Sequence, residues 1–282
     1  MLRVGGRSNP SRSYPTRVYE MWPSDGNIIL CWGLFITGRQ PILLAIAILC
    51  AVFPYYSFIS NSTSEDLASN AFSVAFLTIW LIITLLVMLR IALCDPGIIP
   101  RRKLAEQMEG NRANIDPYAD VPGAVRCVTC EIHRPPNAAH CSDCNNCVVG
   151  FDHHCAVLNN CIGQRNYPYF FALLPSTLML VISFLFQIKF PSSSAESSPS
   201  SESAIVSVIK GLSMTVAVGA LIFVLGLIGY HIYLLVFGLT TKQHLRRMQP
   251  HANLSAWDRL RGMDSQFNLR QFVFLRDGFS QV

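Results

Sequence analysis

The sequence predicts an α-helical integral membrane protein with four transmembrane helices and a small cytosolic Cys-rich domain between helices 2 and 3. Of the 282 residues, 51% are hydrophobic and only 14% are charged, whereas a soluble domain carries roughly 25% charged residues. Four apolar stretches are each long enough to cross the core of a bilayer, which takes roughly 20 helical residues. Seven of the ten cysteines lie between Cys127 and Cys161.

The apolar stretches run from 41 to 59, from 71 to 94, from 169 to 188 and from about 205 to 239. The fourth is longer than a span requires, and Lys210 predicts that the span itself begins near Gly211. The sequence predicts five consecutive regions. They are an N-terminal segment (1–40), transmembrane helices 1 and 2 (41–94), a linker and Cys-rich domain (95–168), transmembrane helices 3 and 4 (169–239) and a C-terminal tail (240–282). The core of the Cys-rich domain is predicted at 127–165.

Basic residues predict the topology. The loops 60–70 and 191–204 contain no Lys or Arg, while the first 40 residues contain five, the segment 95–168 seven and the tail seven. Basic residues beside spans favour the cytosolic side, so both termini and the Cys-rich domain are expected in the cytosol. The net charge of +5 then reflects topology and contact with the lipid bilayer, and no nucleic-acid partner is expected. Residues 1–30 are polar and rich in Pro and Ser, which predicts no cleavable signal peptide.

The Cys-rich segment contains one spacing pattern twice, C-x2-C-x9-H-x6-C, with the second copy shifted by 14 residues. Three thiolates and one imidazole form a common ligand set for tetrahedral structural zinc, so the sequence predicts two interleaved zinc sites. An alternative pairing places Cys127, Cys130, Cys141 and Cys144 around one metal, but it leaves the repeat unexplained. The predicted ligand sets are Cys127, Cys130, His140 and Cys147 for one zinc, and Cys141, Cys144, His154 and Cys161 for the other.

Cys155, His153 and His133 remain outside both sets. His133 is expected at the surface. Cys155 follows Asp152 and His153 within three residues, and an adjacent imidazole can generate the reactive thiolate. A carboxylate can hold such an imidazole in one tautomer. The alternative is a spare structural cysteine; the Asp-His-x-Cys context favours an activated nucleophile.

The run Asp152-His153-His154-Cys155 inside this domain resembles the signature of the DHHC protein S-acyltransferases, or palmitoyltransferases. The resemblance extends over about residues 17–275 and all four spans. Further similar segments are Asp95-Pro96-Gly97 (the DPG motif), Asn159-Asn160-Cys161-Ile162-Gly163 and Asn166 through Phe170 (the end of the domain), Thr240-Thr241 (the TTxE motif), Asn268 (a tail asparagine) and, faintly, Tyr19 to Arg39 (the subgroup related to the fungal Ras palmitoyltransferase).

The resemblance implies a two-step reaction. The Cys155 thiolate attacks a long-chain acyl-CoA to give an acyl-enzyme thioester, and a membrane-proximal cysteine of a substrate protein then takes the acyl group, which is expected to be palmitoyl. His153 would be the base, Asp152 would orient it and Thr241 would support Asp152. The spans would enclose the acyl chain. The family also implies a multi-pass protein of the ER, Golgi or plasma membrane.

Two positions depart from the family pattern. Ala156-Val157 stands where Pro-Trp is usual, and Gln243 replaces the glutamate of TTxE. The alternative function is therefore a zinc-organised membrane scaffold with weakened catalysis. A transporter or channel is disfavoured because such proteins place ionisable groups at mid-membrane. The four spans of this chain are almost free of ionisable groups, and His231 is the exception. His231 is expected to pack or hydrogen-bond near the fourth span, or to line the acyl cavity.

Overall fold

The computed structural model describes residues 26–31, 34–62, 64–99, 101, 118–187 and 204–248. Its long helices are α1 (Ile42–Ser60), α3 (Ala71–Leu93), α4 (Tyr167–Gln187) and α5 (Ala204–Val236), and its short helices are α2 (Ser64–Ser69) and α6 (Thr241–Met248). The four long helices have the length and apolar composition to cross a membrane. The four-span α-helical fold expected from the sequence is therefore confirmed. The N-terminal segment before residue 26 and Asn268 lie outside the described residues.

Helix α5 is longer than a single crossing of the bilayer requires. Its 33 residues measure about 50 Å at 1.5 Å per residue, whereas the hydrocarbon core of a bilayer is roughly 30 Å thick. The helix begins at Ala204 and continues without a break through Gly211. Helical structure thus starts before the point at which Lys210 was expected to mark the beginning of the span.

The residues between α3 and α4 form a domain of short antiparallel strands. Three strands pair in the order β3–β7–β6, and β4 pairs with β5 and β8 with β9. A further hairpin, β1–β2, precedes α1. The strands are β1 (Asn27–Leu30), β2 (Phe35–Gly38), β3 (Ile98–Ile99), β4 (Val125–Cys127), β5 (Ile132–Arg134), β6 (Ala139–Cys141), β7 (Asn146–Val148), β8 (His153–Cys155) and β9 (Asn160–Ile162).

Asn160 fixes this domain to the end of α3. The last carbonyl groups of a helix have no partner within the helix. The fully buried Asn160 amide donates to the carbonyls of Ile91 and Cys94, at 2.9 and 2.8 Å. Ile91 also packs in one apolar cluster with Ile162 and Leu158. Polar and apolar contacts together hold the Cys-rich domain against the membrane helices.

The β1–β2 hairpin packs on the same domain through Asn159. This residue has a left-handed backbone with φ of 52°, a conformation that Asn tolerates better than most residues. Its side chain donates to the Thr37 hydroxyl and the Gly38 carbonyl, at 3.0 and 2.9 Å. A Cβ at Gly38 would lie 2.6 Å from the Asn159 side chain, so only glycine permits this approach.

The long helices pack around two apolar clusters. The cluster nearer the Cys-rich domain includes Met88, Tyr167 and Phe170. The one farther from it includes Leu77 and Phe184. Between the helices, alongside both clusters, lies an apolar cavity.

Candidate metal centres and active site

The Cys-rich domain gathers two groups of metal-ligand side chains. In each group the ligand atoms lie within 4.8 Å of one another. Atoms bound at about 2.0–2.3 Å to a tetrahedral zinc are separated by roughly 3.5–3.8 Å. The observed separations from the imidazole Nδ1 to the cysteine Sγ atoms run from 3.4 to 3.9 Å. The groups are Cys127, Cys130, His140 and Cys147, and Cys141, Cys144, His154 and Cys161.

The two groups fit two structural zinc ions. They coincide with the two copies of the repeat, and the alternative set of four cysteines is divided between them. All eight side chains belong to residues on strands or on the turns that those strands flank, so each site ties several hairpins together. In β6, His140 and Cys141 are consecutive and belong to different groups. Neighbouring side chains on a strand point to opposite faces, which explains how one strand contributes to both sites.

The same alternation separates the site residues of β8. Strand residues i and i+2 share a face, so His153 and Cys155 lie on one face and His154 on the other. His154 is directly opposite Cys161 in the β8–β9 pair, and both belong to the second metal group. The hairpin therefore presents a metal site on one side and the His153–Cys155 pair on the other.

Asp152 lies behind His153. Its carboxylate Oδ2 accepts a 2.7 Å hydrogen bond from Nδ1 of His153, and Asp152 is only 1% exposed. With Nδ1 occupied, Nε2 is the nitrogen left for Cys155, with which His153 also interacts. The three side chains are thus arranged in the order carboxylate, imidazole and thiol. In this arrangement the imidazole can act as a base towards the thiol while the carboxylate orients the imidazole.

Burial and hydrogen bonding act in opposite directions on the pKa values of His153 and Asp152. Burial lowers the pKa of His153, but the hydrogen bonds with Asp152 and Cys155 outweigh it and raise the pKa to about 9. Burial raises the pKa of Asp152, but hydrogen bonds from His153 and Thr241 bring it below its usual value. Asp152 is therefore placed to hold the His153 imidazole and to favour its protonated form.

Helix α6 closes the other side of Asp152. The Thr241 backbone N–H donates to Oδ1 at 2.7 Å and its hydroxyl donates to Oδ2 at 2.6 Å. The backbone N–H of Lys242 donates to the Asp152 carbonyl at 3.1 Å. A carboxylate at a helix N-terminus satisfies free N–H groups and complements the helix dipole. The tail after the fourth span is thereby fixed to the Cys-rich domain.

Gln243 completes the start of this helix. Its side-chain oxygen accepts from the Thr240 N–H at 3.0 Å, and its own N–H donates to the Thr240 hydroxyl at 3.2 Å. This reciprocal pair is a capping box, which accepts either Glu or Gln at its fourth position. The missing carboxylate therefore leaves the cap intact.

A cavity of about 490 Å³ opens beside the His153–Cys155 pair and extends between the four long helices. A volume of 300–1,000 Å³ is typical of small-molecule sites. Its walls are almost entirely apolar, and the lining includes Ala47, Leu77, Leu174 and Phe184. Cys155 and Thr241 lie at one end, while Leu77 and Phe184 belong to the cluster farther from the Cys-rich domain.

A sequence profile of the DHHC palmitoyltransferases matches residues 122–248, from the Cys-rich domain to the end of α6. Residues 122–248 are a DHHC palmitoyltransferase domain. The matched region includes the two metal groups, the Asp152–Cys155 run and Thr241. The DHHC run is thus the segment in which β8 brings a metal ligand and the candidate catalytic pair together.

Curated proteins with related sequences agree with this assignment. "Probable protein S-acyltransferase 6" of Arabidopsis thaliana is 32% identical over 261 residues, which cover 82% of this chain and 62% of that protein. "Protein S-acyltransferase 8" of Arabidopsis thaliana is 28% identical over 279 residues, covering 86% of this chain and 66% of that protein. "Palmitoyltransferase ZDHHC8" of Homo sapiens is 38% identical over 157 residues, which cover 54% of this chain and 20% of that protein. The chain thus spans less than two thirds of the length of these relatives.

Ala156-Val157, the other departure from the DHHC pattern, lies beside the cavity. Ala156 and Val157 form a short 3₁₀ helix with Leu158 directly after the candidate nucleophile. Val157 lines the cavity and is 43% exposed. A valine there covers less surface than the aromatic residue usual in the family, so this residue fills less of the cavity wall than a Trp would.

Some residues of this site were not found by sequence reasoning. Asn27 donates to Sγ of the metal-group residue Cys144 at 3.6 Å and accepts from Asn146 at 2.7 Å. Such outer contacts orient metal ligands. Tyr230 hydrogen-bonds to His244 at 3.0 Å and lines the cavity. The Asn27 contacts join segments more than 100 residues apart, and the place of Tyr230 in the cavity wall depends on how the long helices pack, so the sequence offers no local pattern for either.

Thr84 is exceptional among the threonines of the long helices. The hydroxyls of Thr78, Thr177 and Thr215 each donate to the carbonyl four residues earlier, at 2.8–2.9 Å. Thr84 is 1% exposed and lines the cavity, yet its hydroxyl has no hydrogen-bond partner within the described part of the chain.

Proposed function

We propose that this chain is a protein-cysteine S-acyltransferase. It takes a long-chain fatty acyl group, preferably palmitoyl, from acyl-CoA onto Cys155 and passes it to cysteines of membrane-associated proteins. The observation that carries the proposal is the position of Cys155, which lies beside His153 and Asp152 and at the end of an apolar cavity between the four spans. The nucleophile and the base therefore lie next to the site proposed for the acyl chain.

In the first step the Cys155 thiolate attacks the carbonyl carbon of the acyl-CoA thioester. A new C–S bond forms to Cys155 and the bond to the CoA sulfur breaks. His153 takes the Cys155 proton beforehand and gives it to the departing CoA thiolate. Asp152 and Thr241 hold the imidazole in place throughout, because the carboxylate is fixed by the start of α6.

In the second step a substrate cysteine attacks the acyl group on Cys155. His153 accepts the proton of that thiol and returns it to Cys155, so the enzyme is restored. The two zinc ions hold the domain together and take no part in the transfer. The ligand His154 keeps β8 in place, and the alternation of the strand keeps His153 and Cys155 towards the cavity.

The cavity offers the acyl chain an apolar site beside the nucleophile. Removing one CH₂ group from water contributes about 0.8 kcal/mol, so a palmitoyl chain gains at most roughly 11 kcal/mol relative to water. A chain in the bilayer is already out of water. The cavity therefore acts chiefly by placing the thioester next to Cys155.

We further propose that residues 1–40, 95–168 and 240–282 lie in the cytosol, where acyl-CoA is available, and that the protein resides in the ER, Golgi or plasma membrane. The basic flanks of the spans support this orientation. Labelling of single introduced cysteines in intact and permeabilised cells tests it. Labelling of segment 118–168 from the outside or from the lumen would contradict the orientation.

The enzymatic proposal is tested by incubating the purified chain with an alkyne-labelled palmitoyl-CoA. The expected result is a label on the protein that hydroxylamine removes and that Cys155→Ser abolishes. The Cys50→Ser variant is a matched control, since Cys50 also lines the cavity but has no adjacent base. Label that persists in Cys155→Ser would exclude Cys155 as the nucleophile. No label in a zinc-loaded, folded chain would favour the scaffold function instead.

A further inference from the structure

His231 is a second imidazole at the reactive end of the cavity. It lies on α5, is 2% exposed and lines the same cavity as His153 and Cys155. Its ring centre is 6.4 Å from that of His153 and 5.0 Å from that of Phe170. Phe170 packs edge-on to both imidazoles and belongs to the cluster that contacts Cys155. His231 is therefore close to the nucleophile, although 76 residues separate the two in the sequence.

Tyr167 is positioned to influence which nitrogen of His231 carries the proton. The Tyr167 hydroxyl is 3.4 Å from Nδ1 of His231. In a neutral imidazole one nitrogen donates and the other accepts. When the phenol donates to Nδ1, the ring proton is on Nε2, which then becomes an N–H donor. Tyr167 is itself buried at the start of α4, so the pair joins two spans at the level of the active site.

The transfer reaction needs such a donor. When a thiolate adds to a thioester, negative charge develops on the carbonyl oxygen, and a fixed N–H aimed at that oxygen lowers the barrier. His153 cannot serve, because Nδ1 is bound to Asp152 and Nε2 faces the thiol. Among the described side chains lining the cavity beside His153, His231 is the remaining imidazole.

We propose that His231 is a catalytic residue whose Nε2–H binds the oxyanion formed from the acyl thioester, and that Tyr167 is the positioning residue that fixes its tautomer. This inference rests on the proposed acyl-transfer function. As Sγ of Cys155 bonds to the carbonyl carbon, the C=O π electrons move to oxygen, where His231 donates. When the intermediate collapses, the C=O bond reforms and the CoA thiolate leaves with the proton held by His153.

The test separates binding from chemistry. Single-turnover acylation by palmitoyl-CoA gives the limiting rate, and competition by S-hexadecyl-CoA gives affinity, since this thioether has no carbonyl oxygen. His231→Leu is expected to lower the limiting rate by about 10²–10³-fold, the usual loss for one oxyanion donor. The inhibition constant of the thioether should stay within about twofold of the parent value, because the thioether lacks the carbonyl oxygen to which the His231 N–H would donate.

Two further variants make the assignment specific. His231→Gln retains an N–H and is expected to recover a large part of the rate lost in His231→Leu. Tyr167→Phe removes only the hydroxyl and is expected to give a smaller fall in the limiting rate. Tyr233→Phe is the matched control, since Tyr233 packs at a tilt against Phe237 and is not among the described residues that line the cavity. Zinc content and thermal unfolding of each variant show whether it is folded.

Several outcomes would overturn the inference. An unchanged rate in His231→Leu would do so, as would equal losses of rate and of thioether affinity, which would indicate a packing role. A Gln variant as slow as the Leu variant would exclude the N–H as the active feature. If His231→Leu does not fold, an unchanged rate in Tyr167→Phe refutes the tautomer argument. The unmodified chain distinguishes failure of this inference from failure of the proposed function. If the unmodified chain forms no acyl-enzyme at Cys155, the proposed acyl-transfer function itself is wrong.

Discussion

The neighbouring histidines of β8 should respond in opposite ways to the same substitution. His154→Ala removes one of four ligand atoms from the second metal group. Structural zinc in small domains contributes about 10–16 kcal/mol of apparent binding free energy that is coupled to folding. We expect this variant to lose zinc and to destabilise the Cys-rich domain. His153→Ala removes no ligand, so two zinc ions per chain should remain.

The decrease in the rate of Cys155 acylation caused by His153→Ala can be estimated from the geometry. Asp152 loses one hydrogen bond of 2.7 Å but keeps two from Thr241, so the buried carboxylate remains satisfied and the fold is retained. A positioned base typically contributes 10²–10⁴-fold in rate, or about 3–5 kcal/mol of barrier. The lower end is expected here, because a thiol ionises in part without help.

Two assays distinguish the variants: metal analysis of the purified protein, and hydroxylamine-sensitive acylation followed in time. His133→Ala is the matched control, since His133 lies in the same domain but belongs to neither metal group; it should retain both zinc and acylation. If His153→Ala and His154→Ala lost zinc equally, or if neither did, the division of roles by strand alternation would be refuted.

The remaining predictions concern the metal, the tail and the cavity. Elemental analysis should give close to two zinc ions per chain, and Cys127→Ser and Cys161→Ser should each lower that number and the yield of folded protein; one zinc in the parent chain would refute the interleaved sites. Gln243→Glu should leave acylation unchanged or raise it, because the capping box needs only a side-chain acceptor; a large loss of activity would contradict this role. Thr84→Val should raise the thermal stability of the detergent-solubilised chain by about 1 kcal/mol, since an unpaired buried hydroxyl costs about 1–3 kcal/mol; a lower melting temperature would show that the hydroxyl is paired.

The sequence alone determined the fold class and the metal chemistry. A span is a property of about 20 consecutive residues, so the four helices were predictable from local composition. The two zinc sites were predictable because their ligands recur at fixed spacing within 35 residues, from Cys127 to Cys161. The DHHC run was likewise local, and its resemblance to a known family indicated the reaction.

Only the tertiary structure determined what surrounds Cys155. The family resemblance had implied that Thr241 supports Asp152, but only the structure gives the two hydrogen bonds that join them across 89 residues and brings His231 of α5 to within 6.4 Å of His153, ring centre to ring centre. No spacing rule relates these residues, because their proximity depends on how four helices pack and where a strand domain is fixed to them. The strand alternation of β8 is the intermediate case: the sequence distinguished His153 from His154 by the repeat, but only the paired β8–β9 hairpin shows that the two histidines face opposite sides.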